Sequence, residues 1–270
     1  MRTLLCWLVL AAAASAQPRL VNGKLETRAS KGVESEVRAF ASAQTAPAWI
    51  GYAVPMVAGR QDSCGQVLTL DEGTRSAPES RRVSLEGNRT LLVFLRAANG
   101  QVNRVRSFSA DCEVDAGGHS VAFLTGVRAE ESINLLSPLA DGADRSLMNA
   151  AILAVSLHAG SAADDALIGL ARNGKHAEVR SQALFWLAQK ASSKAAGVIA
   201  DALRDDPDTE VKKRAVFALS QLPKDEGIPR LIEVARGNRN MEVRKQAFFW
   251  LGQSKDPRAL TFFEQVLTGR

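Results

Sequence analysis

Three stretches decide the fold: 178–189 reads EVRSQALFWLAQ, 210–221 reads EVKKRAVFALSQ and 242–253 reads EVRKQAFFWLGQ. They start 32 residues apart, twice. Ala recurs five positions after each Glu (Ala183, Ala215, Ala247), Phe seven after (Phe185, Phe217, Phe249), Leu nine after (Leu187, Leu219, Leu251) and Gln eleven after (Gln189, Gln221, Gln253). Val, Ala and Leu spaced four apart lie on one stripe of a helix. A second set, Leu167, Ile199, Leu231 and Phe263, keeps the same period and predicts a helix before each of the first set. Extending the register backwards reaches Leu135 in one helix and Leu147 to Leu157 in its partner. The array therefore starts near Arg128, with five first helices and four second helices. A helix pair this short cannot bury its apolar stripe alone, and stacked copies make one continuous core. Asp208 and Asn240 are suited to cap the second helices, with Glu210 and Glu242 at the positive end of the helix dipole. Gly227 and Gly252 depart from good helix formers.

Paired helices with Glu-Val-Arg opening the second and Ala-x-x-x-Leu along it resemble HEAT repeats, in the short bacterial form also called PBS-lyase HEAT-like repeats. The resemblance covers residues 128–270 and implies an α-helical solenoid. It bears on fold and is nearly silent on function. The Trp-Leu-Gly-Tyr and Thr-Pro-Leu-His signatures of tetratricopeptide and ankyrin repeats are missing.

Working outward, residues 1–16 read as a secretory signal peptide: Arg2, an apolar run over 4–14 and small residues at 14–16 predict cleavage between Ala16 and Gln17. The run is too short to span a bilayer, and no later stretch is long enough to do so. Extracytoplasmic export, periplasmic or secreted, is the expected localisation. Removal of Cys6 leaves Cys64 and Cys112, most simply one disulfide in an oxidising compartment. It would close a loop of about 50 residues, worth about 4 kcal/mol in the chain-entropy model. Two buried thiols or an intermolecular bridge are the alternatives.

Residues 17–127 show no repeat and suggest a small α+β domain with an antiparallel sheet. A strand is expected over 19–26, a helix within 32–43, and a strand over 49–57 whose Pro55 argues for an edge or a bulge. Asn99-Gly100 between 90–97 and 101–108 signals a hairpin, and 121–125 a further strand. The polar stretch 60–82 reads as a long loop tied down by Cys64.

The chemistry-bearing residues are few. The three histidines, His119, His158 and His176, stand apart, and the His-Glu pairs of HEAT-like iron hydroxylases are absent. No metal site, cofactor or catalytic residue is expected, so the chain does not read as an enzyme. Nucleophile elbows, P-loops and dinucleotide fingerprints are absent too. Gly118-His119-Ser120 reads as a turn. Asp111, Glu113 and Asp115 read as a solvated acidic turn rather than a calcium site, and Asn88-Arg89-Thr90 matches a glycosylation sequon. The net charge of +5 is spread evenly, with 13 basic and 11 acidic residues in 17–127 and 20 and 18 in 128–270. A nucleic-acid partner is not expected.

The candidate interaction surface lies on the second helices. Arg180, Lys212 and Arg244 occupy position +2 after the Glu, and Lys213, Arg214 and Lys245 occupy +3 and +4. These basic residues either meet an acidic partner or pair with neighbouring acids as a structural ladder. The latter is favoured for +2. Trp186 and Trp250 share one repeat position, as core or as binding anchors. The function expected is an exported scaffold binding an unidentified protein partner. A small-molecule or glycan binder or enzyme acting at the domain junction, and a structural envelope protein, are the alternatives.

Overall fold

The computed structural model describes residues 17–58, 66–71, 74–76, 89–190 and 194–269. The expected signal peptide, Cys64 and Asn88 lie outside them. In the N-terminal part, β1 (Arg19–Val21), β2 (Lys24–Ala29), α1 (Val33–Ser42), β3 (Ala48–Pro55), β4 (Gln66–Thr69), β5 (Thr74–Ser76), β6 (Thr90–Ala98), β7 (Gln101–Ser109), β8 (Glu113–Asp115) and β9 (Ser120–Thr125) follow in order. Leu91 to Leu95 of β6 are all fully buried. Such an unbroken apolar run marks a strand covered on both faces. β6 and β7 form the expected hairpin, with Asn99 and Gly100 both at positive φ (52° and 80°), as a two-residue turn of type I′ requires.

The sheets correct several expectations. Among the described residues the larger has five strands in the order β2-β9-β3-β6-β7, and it is mixed rather than antiparallel, because β9 runs parallel to both β2 and β3. The stretch 19–26 holds two strands, broken at Asn22, whose φ is 52°. β3 is the central strand and not an edge. Pairing to β9 covers only Trp49 to Tyr52, so Pro55, the last residue of β3, removes no N–H from that ladder. The region expected as a loop contributes β4 and β5 to a second sheet, β1-β8-β4-β5.

The molecule is layered. Trp49, Leu92, Phe94, Phe108 and Phe123 face the smaller sheet, where Leu70 and Val114 complete a core. Ile50, Tyr52, Val54, Leu91, Val93 and Leu95 face the helices. Cys112 is completely buried in the turn before β8. Asp115 is also buried rather than solvated. Its Oδ1 accepts from Asn22 Nδ2 (3.1 Å) and Gly117 N (2.8 Å), which pins the turn between the β1–β2 break and β8.

Among the described residues, nine helices follow. The first helices of the pairs are α2 (Ala129–Ala140), α4 (Ser161–Asn173), α6 (Ala195–Asp205), α8 (Lys224–Gly237) and α10 (Pro257–Thr268). The second are α3 (Arg145–Leu157), α5 (Ala177–Gln189), α7 (Thr209–Gln221) and α9 (Met241–Gln253). Val179, Val211 and Val243 are fully buried, as are Ala183, Ala215 and Ala247; Leu187, Leu219 and Leu251 are at most 1% exposed. Asp208 and Asn240 cap as expected, accepting from the Glu210 and Glu242 amides at 2.7 and 2.9 Å. Gly227 is required by packing: a Cβ there would sit 2.4 Å from the Leu219 carbonyl oxygen, whereas one at Gly252 would meet nothing within 4 Å.

Candidate functional site: the face of the second helices

α5, α7 and α9 lie side by side, so repeat positions become rows. Position +7 makes an aromatic row. The rings of Phe185 and Phe217 stack with centroids 5.9 Å apart and planes 7° off parallel. Trp186 meets Phe185 edge-on at 4.9 Å, and Trp250 joins Phe217 at 4.8 Å and Phe249 at 5.0 Å. Five rings thus form one track, and its far end, Phe249, is 54% exposed. Beside it Gln189 Nε2 donates to Gln221 Oε1 at 3.2 Å, bringing position +11 of adjacent repeats together. The near end opens into a cavity of about 440 Å³ lined by Val57, Ala58, Ser156, Phe185, Trp186 and Lys190, where the end of β3 meets α3 and α5.

The basic residues divide by position. Arg180 is held by a fork to Asp206 (Nε to Oδ2 2.7 Å, Nη2 to Oδ1 3.1 Å) and by the Gly174 carbonyl at 2.9 Å. The hydrogen bond to the buried Asp206 holds the guanidinium above its ordinary pKa. Lys212 donates to the Arg204 carbonyl (3.2 Å) and Arg244 to that of Asn238 (2.6 Å). At position +2, therefore, Arg180 pairs with an acid, while Lys212 and Arg244 reach main-chain carbonyls at the end of the preceding first helix. Lys213 and Lys245 pair at 2.9 Å with Glu210 and Glu242 of their own helices, both exposed. Arg214 differs. Its guanidinium carbon lies 5.2 Å from the centroids of both Phe185 and Phe217, as a cation over the track. Trp186 and Trp250 are half-buried in the same track, so the structure brings Arg214 and the two tryptophans together and leaves the other basic residues apart.

Residues 197–269 match the HEAT repeats family. The helical half is a solenoid of paired helices, and its residues 197–269 are similar to HEAT repeats. Curated proteins give no match. Human deoxyhypusine hydroxylase in complex with glycerol is a similar solved structure at 20% identity and a TM-score of 0.38; the match covers 46% of this chain and 43% of that one. Among the described residues, no group of three or more His, Cys, Asp or Glu side chains could hold a metal ion, and no helix is long and apolar enough to cross a membrane.

A second cluster was not legible in the sequence. Where the helical solenoid meets the sheet, His158, Ser132 and Tyr52 form a buried polar chain. His158 Nδ1 lies 2.7 Å from the Ala154 carbonyl, Nε2 lies 2.8 Å from Ser132 Oγ, and Ser132 Oγ lies 2.9 Å from Tyr52 Oη. A carbonyl can only accept, so Nδ1 donates to it. A neutral imidazole then accepts at Nε2 from Ser132, and Tyr52 donates to Ser132. Burial, opposed by the Ala154 carbonyl and reinforced by the charge of Lys190, lowers the imidazole pKa to about 4. Burial likewise raises the Tyr52 phenol well above its ordinary value, against the Ser132 hydrogen bond. All three side chains are neutral at pH 7 and buried, and their hydrogen bonds fasten the helices to the sheet. Lys190 closes the same junction, donating to the Ser156 (3.2 Å) and His158 (3.0 Å) carbonyls and pairing with Asp164 at 3.4 Å.

Proposed function

We propose that the protein is an exported scaffold that binds a protein partner along the second-helix face of its HEAT-like solenoid, acting by recognition rather than catalysis. The observation that carries this is the continuous aromatic track, crossed by Arg214 and ending on the exposed Phe249. Aromatic rings and arginine are enriched among the side chains that anchor interfaces: the rings bury large area at small entropic cost, and the guanidinium adds stacking and several hydrogen-bond donors. Export is supported by the charge, apolar run and small residues of 1–16. The Cys64–Cys112 disulfide belongs to the same reading and is supported by the complete burial of Cys112. A small-molecule site at the junction is less well supported, because Lys190, the cation lining that cavity, is already taken up by two carbonyls and Asp164.

The test is capture from the source's extracytoplasmic fraction on oxidised protein comprising residues 17–270, beside Phe249→Ser and Arg214→Glu baits. A protein retained by the parent and lost on both variants, with all three baits showing the same helical circular dichroism, is expected. Equal retention on all three baits would refute the aromatic face as the binding surface.

A further inference from the structure

The solenoid carries the same inter-repeat groove twice, one repeat apart, where first helices end and second helices begin. The earlier groove, about 490 Å³ between α4, α5 and α6, balances its charges. Arg180 is forked by Asp206, Arg172 meets Asp201 at 2.8 Å, and Arg204 meets Asp201 and Asp205 at 2.9 and 2.8 Å. The later groove, about 730 Å³ between α6, α7 and α8, is built from residues 32 positions on, and its charges no longer balance. Asp206 is replaced by Asn238 and Asp205 by Gly237. Val198 is replaced by Arg230 and Pro207 by Arg239. Four cations, Arg204, Lys212, Arg230 and Arg239, line this groove against the single carboxylate of Glu233. Arg204 turns back to Asp201 and Asp205, and the Lys212 ammonium finds only the Arg204 carbonyl at 3.2 Å. Lys212, Arg230 and Arg239 have no carboxylate partner among the described residues.

Asn238 keeps the turn that Asp206 makes. Its Oδ1 accepts from the amide two residues on at 2.9 Å, as Asp206 Oδ1 does from Asp208 N at 2.9 Å. The exchange therefore preserves the backbone and removes only the charge that would meet position +2. From this we infer that the later groove is an anion site whose missing carboxylates are supplied by a ligand, namely the acidic side chains of a peptide segment. A carboxylate is favoured over other anions because it is the group that fills the Arg180 position of the sister groove. Such a site binds by charge complementarity and weakens as salt rises. It shares no residue with the aromatic track, so its failure would leave the scaffold reading standing.

The probe is an oligoglutamate peptide titrated calorimetrically into the full mature protein at low ionic strength, with inorganic phosphate in parallel. Saturable binding that declines with added salt is expected. Asn238→Asp, which restores the internal acid, and Arg230→Val, which restores the sister groove's residue, should each lower peptide affinity about tenfold. Both copy side chains the fold already accommodates one repeat earlier, so unchanged circular dichroism and melting should accompany the loss. No saturable binding at low salt, equal affinity in the variants, or tighter binding of phosphate than of peptide would each overturn the assignment.

Discussion

Acid should unfasten this molecule at one identifiable place. His158 is fully buried and neutral, with a pKa of about 4 against the ordinary 6.5. The unfolded chain therefore takes up a proton between these values that the folded chain resists. The sign follows directly: stability from this group is fully present above pH 6.5 and is lost as pH falls toward 4. The gap of 2.5 corresponds to about 3 kcal/mol in all, of which about 2 kcal/mol has gone at pH 5. That is a large share of a typical folding free energy. Asp256, held at about 2 mainly by its hydrogen bond from Arg258, titrates below this window. The assay is urea unfolding at pH 7 and pH 5 for the parent and for His158→Gln. The parent should lose about 2 kcal/mol over that step, and the variant, less stable at pH 7, should lose much less. An equal fall in both proteins would refute the argument and place the acid sensitivity elsewhere.

Other perturbations have definite outcomes. Asp206→Ala leaves the Arg180 guanidinium, 13% exposed, without its fork and should cost about 3 kcal/mol in chemical unfolding. Gly227→Ala forces a Cβ against the Leu219 carbonyl and should cost about 2 kcal/mol, whereas Gly252→Ala, in open space, should gain about 0.5 kcal/mol; thermal melting of the pair separates the two. Non-reducing peptide mapping should find Cys64 joined to Cys112, and reduction should lower stability by about 4 kcal/mol; free thiols at both positions would refute the bridge.

The helical half was legible because each copy repeats the same burial at the same spacing. Val179, Val211 and Val243 face one environment, and the period alone reveals it. The sheet was less so, because neighbours in it are set by contacts far apart in the chain. A signal was nevertheless present: a helix between two strands, β2-α1-β3, is the usual mark of a parallel connection, and β9 lies between those two strands, parallel to both. The aromatic track followed from Phe at +7, yet the sequence could not show that Arg214 lies over two of its rings while Lys213 turns to Glu210. The His158 chain was hidden by separation, since Tyr52 and Ser132 are 80 residues apart. Its faint signals were the chain's single tyrosine and a histidine ending an apolar helix.

One hydrophobic core runs without a break from Val33 in α1 through the sheet to Phe262 in α10. This bears on how the chain comes to fold as it emerges, from the ribosome or from an export channel. The sheet's inner face, Ile50, Val54, Leu91 and Leu95, stays open until α2 and α3 have emerged to cover it. Nascent chains ending near residue 127 should therefore stay sticky and protease-sensitive, needing shelter by a chaperone. Chains extended past His158 close the face and lock the imidazole into place in one step. The later repeats can then add one at a time, each on a finished surface, so the order of growth and the order of assembly coincide.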